Sequence, residues 1–161
     1  MSGPRRLIVT AFAAGCLTAS GCGLFSKAPP EPPKPLVYPL CLEAGPKVNW
    51  YNDTANTLYV RVYQLSTADT FLQTDPVRMV EPGFTLNGAV GPPIEKTLFP
   101  NTKTSVEVRQ NPDATVLGIV AFYYQASGPV KTRRPLPQRG DPPPKEAPGC
   151  VLLGQNGIET P

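Results

Sequence analysis

From Leu58 to Leu65 apolar and polar side chains alternate, with Val60 and Val62 on one face and Arg61 on the other. A period of two predicts a half-buried β-strand. Residues 105–109 repeat it, Val106 and Val108 opposing Glu107 and Arg109. Asn111-Pro112-Asp113-Ala114 then has the composition of a tight turn, and residues 115–124 are apolar at nearly every position. Val116, Leu117, Ile119, Val120 and Phe122 leave that second arm no polar face, the signature of a central strand covered twice. The two arms predict a hairpin. Weaker strands are expected over 37–42, 48–51, 94–99 and 151–153, and a short helix over 67–74 capped by Ser66 or Thr67. About seven short strands with proline-rich turns predict an all-β, two-layer β-sandwich with a short helical insertion.

The N-terminus has a different pattern. Arg5 and Arg6 precede an almost uninterrupted apolar run over 7–19, which leads into Leu17-Thr18-Ala19-Ser20-Gly21-Cys22. The run is about thirteen residues, well short of the ~20 that a membrane-spanning helix needs. A basic head, a short apolar core and small residues before a cysteine are the plan of a bacterial lipoprotein signal peptide, cut before Cys22 and replaced by lipid on its thiol. An ordinary cleaved secretory signal is the alternative, and Cys16 is a rival acceptor that would leave a shorter apolar core. Glycine, not aspartate, follows Cys22, which in similar lipoproteins goes with sorting to the outer membrane. Buried acyl chains contribute ~0.8 kcal/mol per CH₂, so the two or three chains of a lipoprotein cysteine hold stably where one would not.

Composition divides the remainder. Residues 28–39 are half proline and favour an extended polyproline II spacer. Residues 133–149 hold six more prolines, together with Arg133, Arg134, Arg139 and Lys145. The expected organisation is therefore a signal peptide at 1–21, a lipidated proline-rich stem at 22–39, and a sandwich domain at 40–161 with an exposed proline-rich loop near 133–149. Lys131, Arg133, Arg134 and Arg139 on that loop have two readings: solvated charges, or a contact to anionic headgroups or an acidic partner.

Losing Arg5 and Arg6 with the leader lowers the net charge from +3 to about +1, which gives no footprint for nucleic acid. The chain has no histidine, so the commonest general base and zinc ligand are missing; no phosphate loop or nucleophile elbow is present. No catalytic residues, metal ligands, cofactor or small-molecule substrate are expected. In an oxidising compartment Cys41 and Cys150, near the two ends of the domain, form either a disulfide or two buried thiols. The segment Val48-Asn49-Trp50-Tyr51-Asn52-Asp53-Thr54 holds the only tryptophan, beside a tyrosine, among turn formers. Either an aromatic ring there plugs one end of the core, or Asn49, Trp50, Tyr51, Asn52 and Asp53 form a partner-binding surface. Asn52-Asp53-Thr54 also matches a glycosylation sequon, but in a bacterial envelope it reads as a turn.

The lipoprotein signal, the Val48-Asn49 turn, Leu58-Tyr59-Val60-Arg61-Val62-Tyr63-Gln64-Leu65 with Phe71 downstream, and Leu117-Gly118-Ile119-Val120-Ala121-Phe122-Tyr123 together resemble the TssJ outer-membrane lipoproteins of type VI secretion systems, over about 41–153. The resemblance implies a transthyretin-like sandwich on the periplasmic face of the outer membrane, held through acylated Cys22. It also implies that the domain binds the periplasmic domain of a TssM-like inner-membrane component through the loop between its first two strands, here about 44–57. The chain departs from the family at Asn49-Trp50-Tyr51, where Asn-Pro with small polar residues is usual, and in its long proline-rich insertion at 135–148. A rival reading is a ligand- or glycan-binding sandwich that stacks sugars on Trp50, Tyr51 and Tyr63. If Cys22 carries the lipid, Cys22→Ser moves the protein from the membrane fraction to the soluble fraction after cell fractionation; a variant that stays membrane-bound refutes the anchor.

Overall fold

A computed structural model describes residues 36–125, 130–138, 141 and 149–159. Cys16, Cys22, the signal peptide, the stem up to residue 35, Arg139 and most of the proline-rich stretch lie outside the described residues. Strands β1 (Val37–Ala44), β6 (Thr102–Arg109), β9 (Val151–Leu153) and β10 (Ile158–Glu159) form one sheet, in the order β10-β9-β1-β6. The second sheet has the order β5-β4-β7-β8, from β4 (Leu58–Leu65), β5 (Ile94–Leu98), β7 (Val116–Phe122) and β8 (Val130–Pro135). Strands β2 (Trp50–Tyr51) and β3 (Thr54–Ala55) make a small separate hairpin. Between β4 and β5 lie α1 (Asp69–Gln73) and a 3-10 turn, Pro76–Val80. The expected sandwich with a helical insertion is what forms.

Burial follows the alternation. Leu40, Leu42, Val106 and Val108 from one sheet meet Val60, Val62, Leu117 and Ile119 from the other, all at most 4% exposed. The opposite face of the second sheet is covered as well: Tyr63, Leu65 and Val120 pack under Phe71, Met79 and Leu86 of the insertion. This is the double covering that the apolar run of β7 predicts. Gly118 makes it possible. A Cβ there would lie 2.8 Å from Leu65 Cδ1 and 2.9 Å from the Phe71 ring, so only glycine lets Phe71 lie against the strand.

Strand β1 starts earlier than the expected stem allows, since 37–39 already pair with β6. Pro39 is tolerated because of its position. The Gln110 amide donates to the Leu36 carbonyl (2.8 Å) and the Gly45 amide to Leu153 (2.9 Å), so even-numbered β1 residues aim at β6 and odd ones at β9. Strand β9 pairs only from Leu42 onward, so no neighbour needs the N–H that Pro39 lacks. The pairing of β1 and β9 is parallel, and the Cys41–Cys150 disulfide, with a Cα separation of 4.4 Å, clamps the two strands where it begins.

Three expectations need correction. Strands β6 and β7 are not a hairpin: β6 pairs with β1 and β7 with β4 and β8, so the turn at 111–114 carries the chain across the sandwich. Amide side chains hold that crossing. Gln64 donates to the Arg109 carbonyl (3.1 Å) and accepts from the Asn111 amide (2.8 Å), and Gln110 donates to the Ala114 (3.1 Å) and Pro137 (3.0 Å) carbonyls. The helix spans only Asp69–Gln73 and its N-cap is Ala68, with no side-chain cap. Ser66 is committed elsewhere, its amide donating to Gly88 and its carbonyl accepting from Thr115 Oγ1. Finally, Lys131, Arg133 and Arg134 belong to β8, an edge strand whose charges suit an edge, and not to a loop. The Lys131 side chain is committed to the insertion. Its ammonium donates to the Phe71 (3.0 Å), Leu72 (2.7 Å) and Thr74 (2.7 Å) carbonyls, capping the C-terminal end of α1. Burial lowers its pKa, with Asp75 opposing the shift. Arg61 pins the other end of the insertion, donating to the Met79 carbonyl while paired with Glu95 at 3.0 Å.

Gly118→Ala should lower urea stability by about 1–3 kcal/mol, because the added methyl forces Phe71 off the sheet. Lys131→Met, which keeps the stem and removes the ammonium, should cost about 1–2 kcal/mol and expose the amides of α1 to hydrogen exchange ahead of the core strands. Protection of α1 equal to that of the unaltered chain would refute the cap.

Candidate functional site

At the end of β1 the chain turns through Gly45 into the loop that carries the sequence-expected surface. Val48 is fully buried and plugs the core at this end, so neither Trp50 nor Tyr51 has that task. Asn49 follows with φ 47°, a left-handed conformation that asparagine tolerates better than most residues. Its side chain is consumed by the fold: Nδ2 donates to the Thr57 carbonyl (2.6 Å) and Oδ1 accepts from the Tyr124 amide (2.8 Å). At 2% exposure Asn49 presents nothing to a partner. It is a brace between the loop and the end of β7.

Beyond Asn49 the hairpin turns tightly. Tyr51 pairs with Thr54, and the two residues between them, Asn52 and Asp53, have φ 49° and 56°. Both central residues at positive φ make this a type I′ turn, whose twist matches the flanking strands. The sequon Asn52-Asp53-Thr54 is thus spent on a turn, as expected. Asn56 Nδ2 closes the loop from behind, donating to the carbonyls of Asn49 (3.3 Å), Tyr51 (3.3 Å) and Thr54 (2.9 Å). The hairpin is therefore a held structure, although it pairs with neither main sheet.

Its outward groups are now defined. Trp50 is half-buried, its amide donating to the Gln155 carbonyl (3.3 Å) and the Lys47 ammonium lying 5.6 Å from its ring. Tyr51 is 41% exposed, and Asn52 and Asp53 are exposed at the tip. The structure brings together Trp50, Tyr51, Asn52 and Asp53 and withdraws Asn49. It adds Tyr124, 65% exposed, whose ring centroid is 5.7 Å from that of Tyr51. The apolar pattern over 115–124 predicts Tyr124 inside the strand, but β7 ends at Phe122 and Tyr124 stands outside it, where the run gives way to Gln125. Phe99 is exposed on the β5–β6 turn, which reaches the same loop through the Asn101 amide and the Gly45 carbonyl (3.2 Å). Next to the hairpin, an open groove of about 400 Å³ runs between Lys47 and the β9–β10 turn. The Tyr123 hydroxyl donates to Gly157 (2.8 Å) beneath that turn, and burial, reinforced by Glu159, raises its pKa strongly.

The aromatic end has a fixed place in the fold. Leu36, where the described chain enters, lies at one end of β1, and this loop lies at the other, roughly 25 Å away along an eight-residue strand. Chemically the arrangement offers planar apolar rings, a carboxylate and an ammonium on a rigid base. No cluster of three or more His, Cys, Asp or Glu suited to a metal ion occurs among the described residues. A stacking site of Trp50, Tyr51 and Tyr63 does not form, because Tyr63 is buried beneath the insertion with its ring 6.2 Å from Phe71.

No curated protein sequence matches the chain. Among solved structures, Lip of Serratia marcescens, a membrane-bound component of the type VI secretion system, is similar at 20% identity and TM-score 0.65, over 78% of this chain and 96% of that one. The lipoprotein TssJ1 of Pseudomonas aeruginosa is similar at 20% identity and TM-score 0.61, over 78% and 94%. A chain in the structure described as the TssM C-terminal domain (869–1107) from EAEC is similar at 17% identity and TM-score 0.60, over 76% and 95%. These likenesses establish the fold. A family model described as type VI secretion lipoprotein, VasD, EvfM, TssJ matches residues 37–142, from the first strand of the sandwich past β8. The chain belongs to the type VI secretion lipoprotein family that includes VasD, EvfM and TssJ.

Proposed function

We propose that this chain is a non-enzymatic assembly component, anchored in the outer membrane by lipid on Cys22, that docks the periplasmic domain of a TssM-like inner-membrane protein and helps build the secretion membrane complex. The observation that carries the reading is the polarity of the domain. The described chain enters at Leu36, at one end of β1, and the braced aromatic hairpin stands at the other, so a tether on the preceding residues attaches at the end of the strand away from the hairpin. Trp50, Tyr51 and Tyr124 are residue types that dominate interface energetics, and they sit on a base that loses little entropy when a partner binds. The similarity to a chain in the TssM C-terminal domain structure supports the choice of partner. About three quarters of this 161-residue chain fills 95% of the matched chain, which makes that chain far shorter than a segment running from 869 to 1107 and fits a companion of the TssM domain.

Trp50→Ala should weaken binding to the TssM C-terminal domain by about tenfold or more in calorimetry, since truncating an interface tryptophan typically costs 1–2 kcal/mol or above. Asp53→Arg should weaken it as well, by reversing the charge at the tip. Circular dichroism and the melting midpoint should barely change, because neither side chain supports the core. Unchanged affinity in both variants, with the fold intact, would overturn the docking assignment.

A further inference from the structure

The tip of the hairpin holds a residue that its backbone does not favour. A type I′ turn asks for positive φ at both central positions, and asparagine followed by glycine is the usual answer. Here asparagine is followed by Asp53 at φ 56°, a left-handed conformation that glycine adopts without the steric cost of a Cβ. Nothing among the described residues compensates. Among the described residues Asp53 makes no ion pair and its carboxylate accepts no hydrogen bond; the neighbouring Lys47 sits over the Trp50 ring. Two residues back along the hairpin, Tyr51 forms an exposed aromatic pair with Tyr124, with centroids 5.7 Å apart and planes at 51°. The Asn49 brace fixes that pair from below, through the Tyr124 amide.

An exposed carboxylate two residues from Tyr51, itself part of an exposed and preorganised aromatic pair, suits one side chain above others. The guanidinium of arginine is planar, stacks on aromatic faces and pairs with a carboxylate through a fork of donors; lysine offers a point charge that cannot do both. Resting on the docking reading above, we infer that the hairpin receives an arginine side chain of the partner, stacked on Tyr51 and Tyr124 and paired with Asp53. Asp53 is then a specificity residue, kept at the turn for its charge and against the preference of the backbone.

The test measures stability and affinity together, on the mature chain carrying Cys22→Ser, with the TssM C-terminal domain as ligand. Asp53→Gly should raise the melting midpoint by about 2–6 °C while weakening binding about tenfold. Asp53→Asn, which tolerates the same φ, should leave the midpoint unchanged, weaken binding by a similar factor and flatten the dependence of affinity on salt. Tyr124→Ala should weaken binding, and Tyr124→Phe, which keeps the ring, should not. If Trp50→Ala weakens binding while Asp53→Asn keeps both affinity and salt dependence, the arginine pocket is refuted and the docking surface stands. If Trp50→Ala and the Asp53 variants all bind normally, the docking reading fails with it.

Discussion

A strand buried on both faces has to be covered twice, and the architecture follows from how β7 meets that demand. One cover is the opposing sheet, which supplies Leu40, Leu42, Val106 and Val108. The other is the insertion between β4 and β5, which has too little helix to be stable alone: five residues are far below what an isolated helix needs. It holds because Phe71 settles into the space that Gly118 leaves, and because Lys131 and Arg61 saturate its backbone carbonyls at two points. Charged side chains serve here as fasteners for backbone. With β7 fixed, its C-terminal continuation carries Tyr123 and Tyr124 to fixed positions at the end of the sandwich, where the candidate docking surface lies.

That surface is built by the same economy of contacts. The hairpin β2–β3 belongs to neither sheet, and two-stranded ribbons of this length have no stability of their own. Asn49 and Asn56 provide the substitute, each spreading one carboxamide over several backbone groups. Turning amide side chains inward leaves the neighbouring aromatic rings facing out. The loop therefore uses two of its asparagines for architecture and leaves a tyrosine on the surface, the reverse of the ordinary pattern at those positions.

How much of this was legible beforehand depended on the range of the interaction. The strands with strict alternation, β4 and β6, and the doubly apolar β7 were plain in the order of residues, because their periodicity is a local property of the chain. The pairing of β6 with β1, and not with β7, was hidden: a turn between two strands reads the same whether it folds back within a sheet or crosses between sheets, and the difference lies in Gln64, nearly fifty residues away. The edge strand β8 was masked by its prolines and arginines, which look like loop until the free edge explains them. The five residues proposed as a contact surface were adjacent in sequence, yet a turn separates adjacent residues by direction. Asn49 went inward, and its place beside Tyr51 was taken by Tyr124, more than seventy positions on.

The course of β1 has a mechanical consequence. This strand runs without interruption from the point where the described chain enters the domain to the loop that carries the hairpin, flanked by β6 along its full length and by β9 at its last three residues. A pull applied between those two ends acts along the strand. Because both ends belong to the same strand, the load runs through the covalent backbone of β1 and need not pass through its ladder hydrogen bonds, while the Cys41–Cys150 bond ties the middle of that strand to the start of β9. A domain wired in this way behaves as a tension member, suited to hold while what lies on either side of it moves.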